Sequence, residues 1–168
     1  PSYPPRRSSE LMLIGNPAYL TLEDDYAVQF KARVKVGVEG SDKEKGLSSG
    51  LAAVTEPLVS GHNAGFVRED ANLVFVFVSD EDDCSDADAL DGAGGTACYD
   101  QRGKLITLKH LIQSFLSLKS GETRVMVSAI VGPDVNLQED CIQEAWPGHR
   151  YILPLVPIWA SKFLFSVR

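Results

Sequence analysis

The sequence contains few cysteines and no long hydrophobic run. Its 168 residues include three cysteines, Cys84, Cys98 and Cys141, and no Cys-x-x-Cys pair. The usual spacing of a structural zinc site or a thioredoxin-type motif is therefore missing. No apolar run approaches the ~20 residues that cross a bilayer, and no basic region followed by an apolar one opens the chain. We therefore expect neither a membrane span nor a signal peptide.

Catalytic and nucleotide-binding motifs are also missing. None of the three histidines, His62, His110 and His149, adjoins a nucleophile motif such as Gly-x-Ser-x-Gly. The glycine-rich stretch 92–95 forms neither a Gly-x-Gly-x-x-Gly pattern nor a P-loop. We predict a non-enzymatic protein. A hydrolase that uses the acidic stretch described next as a metal site is an alternative.

Negative charge is concentrated in one stretch. The net charge is −7, and residues 80–100 carry eight acidic residues and no Lys or Arg. Such a stretch repels phosphate, so we expect no nucleic-acid partner. With Asp86 as position 1 of an EF-hand, Leu90 would occupy position 5 and Asp91 the glycine position, so the spacing does not fit. The stretch is predicted to be a solvated, flexible loop, with a nonstandard Ca²⁺ site as the alternative.

Two cysteines flank this acidic stretch. A bridge between Cys84 and Cys98 would remove loop entropy worth roughly 3 kcal/mol from the unfolded chain. It would form in an oxidising compartment and would leave Cys141 without a partner in this chain.

Apolar periodicity predicts alternating helices and strands. Helices are predicted over 23–31, 43–59 and 107–118, and strands over 72–79 and 124–131. A brief strand or extended segment is predicted over 34–38, a turn over 60–63 and an edge strand over 151–156. The continuous apolar run of residues 73–78 indicates a strand that is buried on both faces. Helices that alternate with strands favour an α/β fold with a parallel sheet.

The ends of the chain differ from its middle. Residues 1–10 are predicted to be an extended arm, residues 11–156 an α/β domain and residues 157–168 a C-terminal tail. Trp146, Tyr151 and Trp159 form either an aromatic binding surface or the cover of a core edge, and we favour the cover.

Ligands of open parallel sheets bind at the carboxyl ends of the strands. Asp80 follows the strand of residues 72–79, and Ser41 lies in a Gly40–Ser41 turn just before the helix of residues 43–59. Carboxylate and hydroxyl oxygens suit Mg²⁺ or Ca²⁺, so we predict a divalent-cation site at Asp80 and Ser41. In the alternative interpretation, Asp80 only caps a helix or forms a turn.

Four segments together resemble the von Willebrand factor A-type domains of secreted or surface-anchored bacterial proteins. They are residues 36–47 (VGVEGSDKEKGL), 56–85 (EPLVSGHNAGFVREDANLVFVFVSDEDDCS), 125–132 (VMVSAIVG) and 147–151 (PGHRY). The resemblance covers roughly residues 11–155. It implies a Rossmann-like, doubly wound, mainly parallel sheet with helices on both faces and a metal-ion-dependent adhesion site at its rim. It also implies an extracellular, cell-surface or periplasmic location.

In that family an Asp-x-Ser-x-Ser motif after the first strand, a Thr and a later Asp hold the metal. Asp80 matches the later Asp, and Ser41 falls where the Thr usually lies. The Asp-x-Ser-x-Ser motif does not occur in the sequence, and the segment before residue 11 is too short for the first strand. We therefore expect a missing segment, another polypeptide or a rearranged sheet to complete the fold.

The sequence thus predicts a protein-binding module of the adhesion type. A degenerate site near Asp80 would hold Mg²⁺ or Ca²⁺, and the ion would be shared with an acidic residue of a protein partner. The alternative is a structural or assembly subunit whose α/β scaffold packs on another chain without metal.

Overall fold

The computed structural model describes residues 15, 17–35, 41–120 and 124–131. The elements follow in this order: α1 (Tyr26–Arg33), α2 (Gly46–Ala53), β1 (Leu73–Val78), α3 (Ala97–Asp100), a 3₁₀ turn (Arg102–Lys104), α4 (Leu108–Leu116) and β2 (Val125–Ile130). The described residues form a mixed α/β structure, which confirms the predicted class. No helix among them is long and apolar enough to span a membrane.

The two strands form a parallel pair. Leu73 is opposite Val125, and the register continues without interruption to Val78 opposite Ile130. The segment that links the strands contains α3 and α4, as a parallel connection requires. The predicted parallel pairing is confirmed. The doubly wound sheet remains a prediction, because the described residues contain this one pair of strands.

The core lies on one face of this pair, beneath α2 and α4. Leu47 of α2 and Leu111 and Phe115 of α4 are buried there. The Phe115 ring meets Phe75 edge-on with the ring centroids 4.9 Å apart, and it meets Phe77 at 6.0 Å. Each edge-to-face pair adds about 0.5–1.5 kcal/mol beyond area burial. Aromatic packing therefore fixes α4 against β1.

The opposite face of the pair is exposed. Val74, Val76 and Val78 of β1 and Met126 and Ile130 of β2 each expose half or more of their surface. The expectation that β1 is buried on both faces is therefore wrong for the structure described. The physical reason is that α2 and α4 both pack on the face that carries Phe75 and Phe77.

Helix α2 is shorter than its apolar pattern predicts. It ends at Ala53 rather than near residue 59, and the chain then forms the predicted turn over 60–63. The buried Asn63 amide donates to the Ala53 carbonyl at 2.8 Å and so gives a hydrogen-bond partner to one of the last carbonyl groups of the helix. Gly50 allows a close approach to β1, because a Cβ at this position would lie 3.0 Å from the Phe77 ring.

The remaining boundaries lie within a few residues of the predicted ones. Helix α4 begins after Thr107, whose hydroxyl accepts from the His110 N–H at 3.3 Å in an N-cap. Helix α1 lies two to three residues later than predicted. The predicted arm of residues 1–10, edge strand of residues 151–156 and tail of residues 157–168, together with most of the 34–38 segment, lie outside the described residues.

Candidate functional site

The candidate site lies at the carboxyl end of β1, where the acidic stretch begins. The Ser79 N–H donates to the Ile130 carbonyl at 3.1 Å and so continues the parallel pairing past the strand end. The Ser79 hydroxyl then accepts from the Glu81 N–H at 3.2 Å and donates to the Glu81 carbonyl at 3.0 Å. These bonds turn the chain sharply. Asp80 lies at the corner and is exposed.

Asp83 and Ser85 cap α2 from a distance in the sequence. One Asp83 carboxylate oxygen accepts from the Leu47 N–H at 2.9 Å and from the Ser85 hydroxyl at 2.8 Å. The Ser85 hydroxyl in turn accepts from the Ser48 N–H at 2.9 Å. Lys45, which precedes the helix, provides no side-chain cap of its own. The carboxylate thus satisfies helix N–H groups and meets the positive end of the helix dipole.

Lys45 and Asp86 form a buried ion pair beside this cap. The Lys45 Nζ lies 2.6 Å from an Asp86 carboxylate oxygen, and the two side chains are 2% and 0% exposed. Burial opposes the charge of Asp86, but hydrogen bonds from Lys45 and from the Leu90 and Asp88 N–H groups outweigh it and lower its pKa. Burial also opposes the Lys45 charge, yet the Asp86 carboxylate raises the pKa of that ammonium.

The predicted disulfide is present in the structure. It joins Cys84 and Cys98, whose Cα atoms lie 5.5 Å apart. The Cys84 N–H donates to the Glu44 carbonyl at 2.6 Å, so the same residue also ties the stretch to the start of α2. Cys84 packs with the buried Leu90, Ala97 and Leu105 in a small core of its own.

These contacts correct the prediction of a solvated, flexible loop. Asp83, Ser85 and Asp86 are buried, and the stretch encloses a helical turn at α3. The reason is that the helix end and the Lys45 ammonium compensate two of its negative charges. A helix start without Ser, Thr, Asp or Asn is the one sequence signal that could have revealed a distant cap.

A second set of carboxylates stays at the surface. Glu44, Asp80 and Glu81, which we call the acidic rim, lie close enough to influence one another. Partial burial and then the charges of Glu81 and Asp80 raise the pKa of the Glu44 carboxyl. Among the described residues, no basic side chain lies within ion-pair distance of any of the three. The described residues therefore leave the negative charge of the rim without a cation.

The two predicted metal ligands are both described. Asp80 belongs to the rim, whereas the exposed Ser41 hydroxyl accepts from the Lys43 N–H at 3.1 Å. No hydrogen bond joins Ser41 to Asp80 in the part of the chain that the structure describes. Within that part, no group of three or more His, Cys, Asp or Glu side chains is arranged to hold a metal ion. Asp80 and Ser41 alone therefore supply only part of the six or more oxygen ligands that Mg²⁺ or Ca²⁺ takes.

Comparison with known proteins gave no match: no family model, no curated protein and no solved structure matches the chain. The resemblance to von Willebrand factor A-type domains therefore rests on the residues quoted above and stays a prediction.

Proposed function

We propose that this chain is a non-enzymatic protein-binding module of the adhesion type, and that the acidic rim is its binding surface. The observation that carries the proposal is the contrast between the rim and the layer beneath it. Below the rim, both Asp83 and Asp86 are buried: Asp83 accepts hydrogen bonds at the start of α2, and Asp86 pairs with Lys45. At the rim, Glu44, Asp80 and Glu81 have no basic side chain of the described residues within ion-pair distance. A cluster of negative charges that the described residues leave without a cation favours a cationic counterpart on a partner.

A divalent cation is one such counterpart. Asp80 and Ser41 would supply two oxygen ligands, and the partner protein would have to supply others, including a carboxylate. The chain alone is then expected to bind Mg²⁺ or Ca²⁺ no more tightly than the weak extracellular sites, with a Kd on the order of 10⁻⁴–10⁻³ M. The Cys84–Cys98 disulfide is compatible with the extracellular, cell-surface or periplasmic location that we propose.

The test is a calorimetric titration of the full chain with Mg²⁺ and Ca²⁺, beside two variants. Asp80→Ala removes a rim carboxylate at the carboxyl end of β1. Asp70→Ala is the matched control, because Asp70 is also exposed but precedes the opposite end of the same strand. We expect weak saturable binding that Asp80→Ala abolishes and Asp70→Ala retains. Binding that is unchanged in Asp80→Ala, or no binding at all, would refute the cation site.

The second candidate is a structural or assembly subunit, in which a strand of another chain would pair with β1 along the edge that faces away from β2. One edge of β1 pairs with β2, and within the described ranges no strand pairs with the other edge. A strand of another chain would protect the β1 amide groups on that edge from hydrogen exchange. Protection that rises with protein concentration, together with a larger species on a sizing column, would support this candidate over the first.

A further inference from the structure

One face of the strand pair is apolar and uncovered by the described helices. The uncovered sheet face comprises five side chains that are between 50% and 73% exposed: Val74, Val76, Val78, Met126 and Ile130. The register places Val74 beside Met126 and Val78 beside Ile130, so these side chains form one continuous surface. A contiguous apolar surface of this kind is the mark of a docking site.

Negative charge at one end of this face indicates what kind of segment could cover it. Val78 is followed within three residues by Asp80 and Glu81 of the acidic rim. Neither carboxylate has a basic side chain within ion-pair distance among the described residues. The segment that covers the face should therefore be strongly apolar and should carry basic rather than acidic residues.

The chain itself contains such a segment. Ten of the 15 residues in 151–165 are large and apolar: Tyr151, Ile152, Leu153, Leu155, Val156, Ile158, Trp159, Phe163, Leu164 and Phe165. After Glu144 the sequence has no acidic residue, whereas Arg150, Lys162 and Arg168 are basic. We propose that residues 151–165 dock on the uncovered sheet face of the same chain.

Chain length favours this occupant over a separate molecule. The linker of residues 132–150 can span about 60 Å when extended, at roughly 3.3 Å per residue. A strand of six residues is only about 20 Å long. A covalent connection of this length would keep the segment at an effective concentration in the millimolar range. A second copy would have to compete against that concentration.

The two tryptophans of the chain provide a direct readout, because both belong to the C-terminal part of the sequence. Trp146→Phe leaves Trp159 as the single fluorophore. If residues 151–165 dock, Trp159 is shielded from acrylamide in the full chain, and Val76→Asp increases its quenching several-fold. The control is Val28→Asp on α1, since Val28 is 61% exposed and Val76 is 58% exposed. This control should leave Trp159 shielded.

A photo-crosslink keeps the proposal testable even if Val76→Asp unfolds the chain. A photoreactive amino acid replaces Val76 in a Cys141→Ser background, which prevents intermolecular disulfides, and mass spectrometry identifies the linked peptide. We expect a link to residues 151–165 within a chain of monomeric mass. A link in a species of dimeric mass would show that a second copy covers the face. That result, a link to any other segment, or Trp159 quenched as fast as free tryptophan in the Trp146→Phe chain would overturn the proposal.

Discussion

Removing the buried cation at Lys45 should destabilise this protein more than any single change at its surface. Lys45→Met keeps most of the aliphatic stem and deletes the ammonium that lies 2.6 Å from Asp86. The Asp86 carboxylate then stays buried, with the Asp88 and Leu90 N–H groups as its remaining partners. Breaking a buried pair in this way costs about 3–5 kcal/mol of stability.

The reverse change should cost less, because the structure gives Lys45 more than one carboxylate. In Asp86→Asn the ammonium still has Asp88 at 3.5 Å and Asp91 at 3.7 Å, and the amide oxygen can still accept from backbone N–H groups. We expect a loss of about 1–3 kcal/mol. The double variant lacks both charges, so its loss should fall short of the sum by about 1–3 kcal/mol.

The assay is urea unfolding without reductant, which gives the free energy of unfolding of each variant. Lys109→Met, a matched lysine on the exposed side of α4, should change this free energy by no more than about 0.5 kcal/mol. A Lys45→Met variant that loses less than about 1 kcal/mol would contradict the argument that Asp86 needs a buried partner. Strict additivity in the double variant would show that the two charges do not stabilise each other.

Two further predictions concern the same region. Cys98→Ser opens a loop with a sequence separation of 14, so unfolding in urea should show a loss of about 3 kcal/mol; an unchanged midpoint would show that the bond adds nothing. The pKa of Asp86 lies below its ordinary value of 3.8, so the stability from its charge is present above that value and is lost as the pH falls through the lower folded pKa. Thermal unfolding between pH 6 and pH 2 should therefore show a weaker acid destabilisation in Asp86→Asn than in the parent chain, and parallel curves would argue against the shift.

Local patterns predicted the elements that carry their own signals. The apolar repeat that includes Leu111 and Phe115 predicted α4, because the buried stripe belongs to the helix itself. The start of α2 could not be predicted in this way, because its cap, Asp83, is 36 positions away from Leu47. The burial of the acidic stretch was missed for the same reason, since the compensating ammonium of Lys45 comes from a distant segment.

The acidic stretch therefore contains two kinds of carboxylate, buried and exposed, that composition alone does not distinguish. Substitutions at Asp83 and Asp80, three positions apart, should have different effects. Asp83→Ala removes the acceptor for the Leu47 N–H and for Ser85 and should cost about 2–4 kcal/mol, from a lost cap and a buried donor left unpaired. Asp80→Ala removes an exposed rim carboxylate and should change stability by less than about 0.5 kcal/mol while it abolishes cation binding. Urea unfolding and cation titration on both variants test this division. If Asp80→Ala proved as unstable as Asp83→Ala, the rim carboxylates would have a role in the stability of the fold. Their presence at the surface would then be explained without a binding partner.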